Sequence, residues 1–256
     1  ANFHHGIEIP AGFTGKIQSG DGAIGIYAKD SGTYGTIKAP IITGNSTSTN
    51  TAIAVMSDGS PIIEFYNNGT TSMEQASLNI GKNAVGIYSI NGSKFSDTFK
   101  IYGLRANLGQ NSVFAYLKEA TVNISNLSNI ILDSMGTNSA MLYGANNSDI
   151  YVDSNLNIAL NTNAQSYVAE NSKITLNSGK ILTSSLNTGL SAFSLDGKTF
   201  SNGNSVILNN FKTGVLNKGT VTMNSANAVG LYSLFGQNLN DSTGIINIVG
   251  NNGVGM

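Results

Sequence analysis

One phrase recurs along this chain, and its spacing limits the possible folds more than any other feature. It reads Ala23-Ile24-Gly25-Ile26-Tyr27, Ala84-Val85-Gly86-Ile87-Tyr88 and Ala228-Val229-Gly230-Leu231-Tyr232. Weaker copies end at Met56, Tyr116, Tyr143, Tyr167 and Phe193, so the landmarks are 27, 56, 88, 116, 143, 167, 193 and 232, with steps of 29, 32, 28, 27, 24, 26 and 39. Self-similarity at such a period marks a solenoid, in which each repeat is one supersecondary unit that buries its apolar face only against its neighbours.

Short alternations such as Leu78-Asn79-Ile80, Leu156-Asn157-Ile158, Val221-Thr222-Met223 and Ile246-Asn247-Ile248 precede most landmarks. Period two is the mark of a half-buried strand. Gly, Asn, Ser and Asp separate the strands, as in Gly81-Lys82-Asn83, and tolerate the left-handed backbone of tight bends. No window carries apolar residues at helical spacing over three turns, so a mostly helical chain is excluded. A propeller blade needs about 40 residues. Units of 24–32 residues therefore predict an all-β, right-handed parallel β-helix of eight coils with a ninth beginning, roughly 40 Å long at one strand spacing per coil.

Two core-facing columns follow. Ile24, Ile53, Val85, Val113, Ala140, Ala164, Leu190 and Val229 form one, and Ile26, Val55, Ile87, Ala115, Leu142, Ser166, Ala192 and Leu231 the other. Strict alternation turns the tyrosine column outward, whereas a bend starting at that position folds the rings inward. Stacked rings stabilise neighbouring coils in either case.

With 256 residues and 40% hydrophobic content the chain can bury a large core without a metal or disulfide, and it has no cysteine. Thirteen basic residues, only Arg105 an arginine, against fourteen acidic ones leave no basic stripe for nucleic acid. No run of 18 apolar residues spans a membrane, and the N-terminus lacks the layout of a secretion signal. Asn alone supplies 35 residues, which predicts amide ladders along the stack. Asn252-Gly253-Val254-Gly255-Met256 repeats the phrase and stops before its aromatic, which predicts a single segment (1–256) of a longer, monomeric rod.

Catalytic readings are weak. Asp149 and Asp153 share a strand face but lie roughly 13 Å apart, beyond the 5–9.5 Å of glycoside-cleaving carboxylate pairs. His4 and His5 lie at the extreme N-terminus, and a lyase would want clustered Arg and Lys where Arg105 stands alone. A turn column three residues past the landmark carries Glu119, Asn146, Glu170 and Asp196, which could attract calcium; turns favour such residues regardless of any ion. No enzyme activity, cofactor or metal is expected.

Ile17-Gln18-Ser19-Gly20-Asp21-Gly22-Ala23-Ile24-Gly25-Ile26-Tyr27-Ala28 and Leu78-Asn79-Ile80-Gly81-Lys82-Asn83-Ala84-Val85-Gly86-Ile87-Tyr88-Ser89 resemble the passenger repeats of large fusobacterial type V autotransporter adhesins. The likeness is sharp near 17–28, 77–89, 219–233 and 244–256 and has drifted around 143, 167 and 193. It implies a cell-surface β-helix, anchored in the outer membrane through another part of the parent protein. It also implies attachment to host cells or other bacteria through a surface protein or glycan. It identifies no binding residue, since the matching phrase is scaffold.

Insertions are expected near 29–50, 92–103 and 196–210, with recognition on the arches after Tyr88 and Phe193. Gly92–Asp97, Gly197–Asn202 and Gly236–Asp241 share one pattern and read as arches. The run 44–50 reads as a mobile loop. Phe95, Phe99, Tyr102, Phe200 and Phe211 lie in or beside the arches and are the candidate binding residues, because aromatic rings give large contact area at low entropy cost, while Phe95 and Phe200 read also as rings that plug the coil. The arches at Phe95 and Phe200 are expected four coils apart, about 19 Å.

Overall fold

The computed structural model describes residues 15–68, 75–90, 98–193, 213–234 and 236–256, with the backbone of 6–8. Strands pair in parallel throughout five stacked sheets, the organisation of a parallel β-solenoid. The first face is continuous and eight-stranded: Ile24–Lys29, Ile53–Asp58, Val85–Ile90, Val113–Lys118, Ala140–Ala145, Gln165–Glu170, Thr188–Phe193 and Val229–Leu234. Each strand is one copy of the phrase. Val254 bridges Val229 in parallel, so a ninth copy begins to pair.

Between successive first-face strands the chain visits two more sheets, so each coil has three strands. In the N-terminal coils the second face is Gly6–Glu8, Tyr34–Ile37, Ile62–Phe65 and Phe99–Ile101. The third face is Ile17–Gln18, Pro40–Ile42, Ser77–Ile80, Leu104–Leu108 and Ile130–Met135. Separate sheets take over in the C-terminal coils. Thr121–Ile124, Asp149–Val152, Lys173–Leu176, Gly214–Asn217 and Gln237–Asn240 follow the first face, and Leu156–Ile158, Ile181–Ser184, Thr220–Met223 and Ile245–Ile248 complete the coil.

The change of sheet has a local device. Phe99–Ile101 pairs with Ile62–Phe65 on one side only. On its other side the 3-10 turn Leu127–Asn129 takes the place of a strand: the side-chain amide of Asn126 donates to Phe99 O at 2.9 Å and that of Asn129 to Ile101 O at 2.7 Å. Carbonyls left without a ladder partner are thus satisfied by side chains.

One contiguous apolar core runs from Ile26 to Leu231 between the sheets. The expected columns hold through five coils and then slip. Ile26, Val55, Ile87, Ala115 and Leu142 are in register, but the next members are Tyr167 and Leu190, not Ser166 and Ala192. The other column continues from Ala140 through Gln165 and Thr188 to Val229, not through Ala164 and Leu190. Tyr167 therefore is no outward landmark. It is fully buried in register with Leu142 and Leu190, because a one-residue change of register moves a side chain to the opposite face.

Val168 and Ser191 occupy the landmark column, and Phe193 sits two residues beyond it. Val85, Ile87, Leu142, Leu190 and Leu231 are buried as expected, whereas Val113 and Val229 are only half-buried and Ile24 is exposed.

The segment 29–50 is not an irregular insertion. It contains Tyr34–Ile37 and Pro40–Ile42, the second and third strands of an ordinary coil. Its polar run is a hydrogen-bonded bend, with Asn45 N donating to Asp21 Oδ1 at 2.7 Å and Ser46 Oγ to Asn83 O at 2.6 Å. Gln237–Asn240 is likewise a sheet strand paired with Gly214–Asn217, not an arch.

The asparagine richness has a geometric cause. Before the first face the chain turns through positive φ at Gly22, Asn83, Asn111, Asn138, Asn227 and Asn252. Asn is the non-glycine residue that tolerates this region best. Stacked turns then let the amides ladder: Asn111 Nδ2 donates to Asn83 Oδ1 at 2.9 Å, and Asn138 Nδ2 to Asn111 Oδ1 at 3.3 Å. Asn111→Ala is expected to cost about 1–2 kcal/mol through the left-handed backbone penalty, and Asn111→Gly distinctly less. Denaturant melts of the two variants check this order.

Candidate functional site

Outward side chains fall into columns because the strands stack in register. On the second face, Thr36, Glu64 and Lys100 form one such column. Lys38, Tyr66 and Tyr102, each just past the end of its strand, form the next.

Glu64 is the centre of the arrangement. Only 7% exposed on an outward face, it accepts hydrogen bonds at Oε2 from Tyr34 Oη at 2.6 Å and from Tyr66 Oη at 2.9 Å, while Lys100 Nζ lies 3.9 Å from Oε1. Thr36 Oγ1 donates to Tyr34 Oη at 3.1 Å. A shielded carboxylate is tolerable because two phenols hydrogen-bond Oε2 and the Lys100 ammonium lies near Oε1. The phenols hold their protons more tightly than usual, Tyr34 through its bond to Glu64 and Tyr66 through burial and then Glu64.

The rings stack in turn. Tyr66 and Tyr102 lie 4.7 Å apart at 19°, and Lys38 Nζ sits 5.3 Å from the Tyr66 ring centre. Tyr102 ends this stack where its sheet ends, at the turn Leu127–Asn129, and is 56% exposed. One ring face rests on Tyr66 and the residue is more than half exposed. A frame of paired strands holds it, so little entropy is lost on contact.

A second ladder lies on the first face. Tyr88, Tyr116 and Tyr143 stack at 5.1 and 5.2 Å with nearly parallel planes, and Phe193 meets Tyr143 edge-on at 6.2 Å. The tyrosine column thus points outward, with Tyr27 and Tyr232 exposed and Tyr88, Tyr116 and Tyr143 half-buried. Tyr143 Oη donates to Glu170 Oε2. Burial pushes the Tyr116 phenol up to about 12, and burial with the Glu170 bond pushes Tyr143 up as well.

A raised phenol pKa means the folded chain keeps protons that the unfolded chain releases above its ordinary value near 10. The associated stability is intact below pH 10 and lost as pH rises through about 12. The melting temperature is expected to fall over that window, and tyrosinate absorbance of the folded chain to lag that of the chain in denaturant.

The candidates separate sharply. Phe99 is fully buried, its ring stacked with Phe65 at 6.4 Å, so it belongs to the core and offers nothing to a partner. Tyr102 is exposed beside it. Phe95, Phe200 and Phe211 lie outside the described residues. The turn column resolves into positive-φ bends at Asp30, Gly59, Glu119, Asn146 and Asn171. Glu170 belongs instead to the sheet and Tyr143, and Asp196 lies outside the described residues.

Several other charged residues have partners on the scaffold. Arg105 Nε donates to Asp133 Oδ2 at 2.9 Å and its Nη2 pairs with Oδ1, Asp153 pairs with Lys180 at 3.2 Å, and Tyr151 Oη donates to Asp149 Oδ2 at 3.1 Å. Sequence reading missed Glu64 and Tyr66. A usable signal was there, since Tyr34, Tyr66 and Tyr102 recur at 32 and 36 residues. Comparison with protein-family models, with curated proteins and with solved structures finds no match.

Proposed function

We propose that this chain is a non-enzymatic, rod-like segment of a bacterial surface adhesin, of the kind that autotransporter passengers provide. It would be held at the outer membrane by another part of a larger protein and attach to a glycan or protein on host cells or other bacteria. The observation that carries the reading is the Tyr66–Tyr102 stack, open at Tyr102 and braced by Glu64. The repeated phrase with its likeness to adhesin passengers supports it. Open aromatic faces on rigid sheets suit both sugar rings and protein partners.

The competing reading is a stalk spacer, favoured by the uniform asparagine ladders. The purified chain is expected to bind bacterial or epithelial cells, and Tyr102→Ala to weaken that binding at least tenfold while the melting curve barely moves. Binding equal in the variant moves recognition elsewhere on the rod. No binding to any cell or glycan tested favours the spacer.

A further inference from the structure

A different face of the rod carries a second concavity. On the outward side of the C-terminal sheet that follows the first face, Asp149, Lys173 and Gly214 are in register on successive coils, as are Tyr151, Thr175 and Leu216. Their neighbours Ile150, Val152, Ile174, Leu176 and Val215 point into the core. Side-chain bulk drops along both columns, from Tyr151 to Thr175 and from Lys173 to Gly214. The drop leaves a depression of about 460 Å³ with Tyr151 at one end and Lys173 and Lys218 among its walls.

The chemistry of that depression is specific. Neither Lys173 nor Lys218 is in an ion pair among the described residues, in a chain of only 13 basic residues. Four strand residues and one coil separate them, about 14 Å between Cα atoms, so two flexible ammonium groups can reach one ligand from opposite ends. Asp149 accepts from Tyr151 Oη at 3.1 Å, which fixes the phenol and leaves the carboxylate further lone pairs. Thr175, 7% exposed, lies in the floor.

Two cationic donors, an acidic acceptor and a ring edge together fit a ligand that has both carboxylates and hydroxyls. A plain anion would give Asp149's remaining lone pairs no donor, and a neutral sugar would give the lysines no opposite charge. From this juxtaposition we infer that the depression between Tyr151 and Lys218 binds a carboxylate-bearing saccharide. The lysines contact its carboxylates, Asp149 accepts a sugar hydroxyl, and Tyr151 flanks a sugar ring. This site does not rest on Tyr102 and lies in a different sheet.

Titration of the full chain with galacturonate oligomers, and with the same oligomers after reduction of their carboxyl groups, tests the inference. The acidic oligomer is expected to bind at least tenfold more tightly than the reduced one, and more weakly as salt is raised. Lys173→Gln with Lys218→Gln is expected to remove that preference, and Asp149→Asn to weaken binding of both oligomers. Tyr102→Ala is expected to leave the titration unchanged. Equal binding of the two oligomers, indifference to the double lysine variant, loss in Tyr102→Ala or absence of binding at millimolar oligomer would each overturn it.

Discussion

Ile87→Asp is expected to be the most damaging single substitution in the described scaffold, costing more than about 4 kcal/mol. Ile87 is fully buried, with Val55 and Ala115 in register on either side in the eight-stranded sheet. A carboxylate there has no cation to pair with and must be protonated or exposed by opening the coil. Because each repeat of a solenoid contacts only its neighbours, a broken coil separates the rod into two stacks. The variant should therefore melt in a broadened or two-step transition, read by circular dichroism. Val85→Asp is expected to cost less, since Val85 lies outside the contiguous core at 7% exposure. If Val85→Asp proved the worse of the two, the inward assignment of the Ile87 column would be wrong.

Phe99→Ala is expected to lower stability by about 3–5 kcal/mol, the usual cost of emptying an aromatic site in a core. Phe99 is wholly buried against Phe65 at the last strand of its sheet, with Asn126 and Asn129 closing the strand from the other side. Tyr102→Ala, three residues on, removes an exposed ring and one stacking contact, and should cost no more than about 1.5 kcal/mol. Chemical denaturation of the two variants separates core from surface directly. Similar losses for both would mean that Tyr102 is a packing residue, and the proposed binding face would lose its anchor.

The first face was legible because its requirements repeat. Position by position, the phrase asks for a small buried residue, a core residue and an outward tyrosine, and identical demands on stacked coils give identical letters. The glycine is part of that demand: a Cβ at Gly86 would lie 2.6 Å from both Ile80 Cδ1 and Phe114 O. The second face was hidden because its strands, such as Tyr34–Ile37 and Gln237–Asn240, sit in segments that vary in length and letter and so read as loops.

Register was lost at Tyr167 for a physical reason. Aromatic identity marks an outward ring at Tyr88, Tyr116 and Tyr143, but strand alternation and not residue type sets the face: Tyr167 aligns with the inward Leu142 and Leu190 and is fully buried. Of the recognition surface, Tyr102 could be found from its position, whereas Phe99 could not be told from it without the strand that fixes their opposite orientations. Glu64 was invisible, because a carboxylate becomes interesting only when three coils bring Tyr34, Tyr66 and Lys100 to it.

The central claim is that each repeat is one coil, advancing the chain by one strand spacing. With no native cysteine, nitroxide labels can be placed at will. Lys29 and Leu234 occupy the same column at the two ends of the eight-stranded sheet, seven spacings apart, and Lys118 and Leu234 are four spacings apart. Electron–electron distance measurements are expected to centre near 34 Å for the first pair and near 19 Å for the second. Distances that fail to keep the seven-to-four proportion would contradict one coil per repeat.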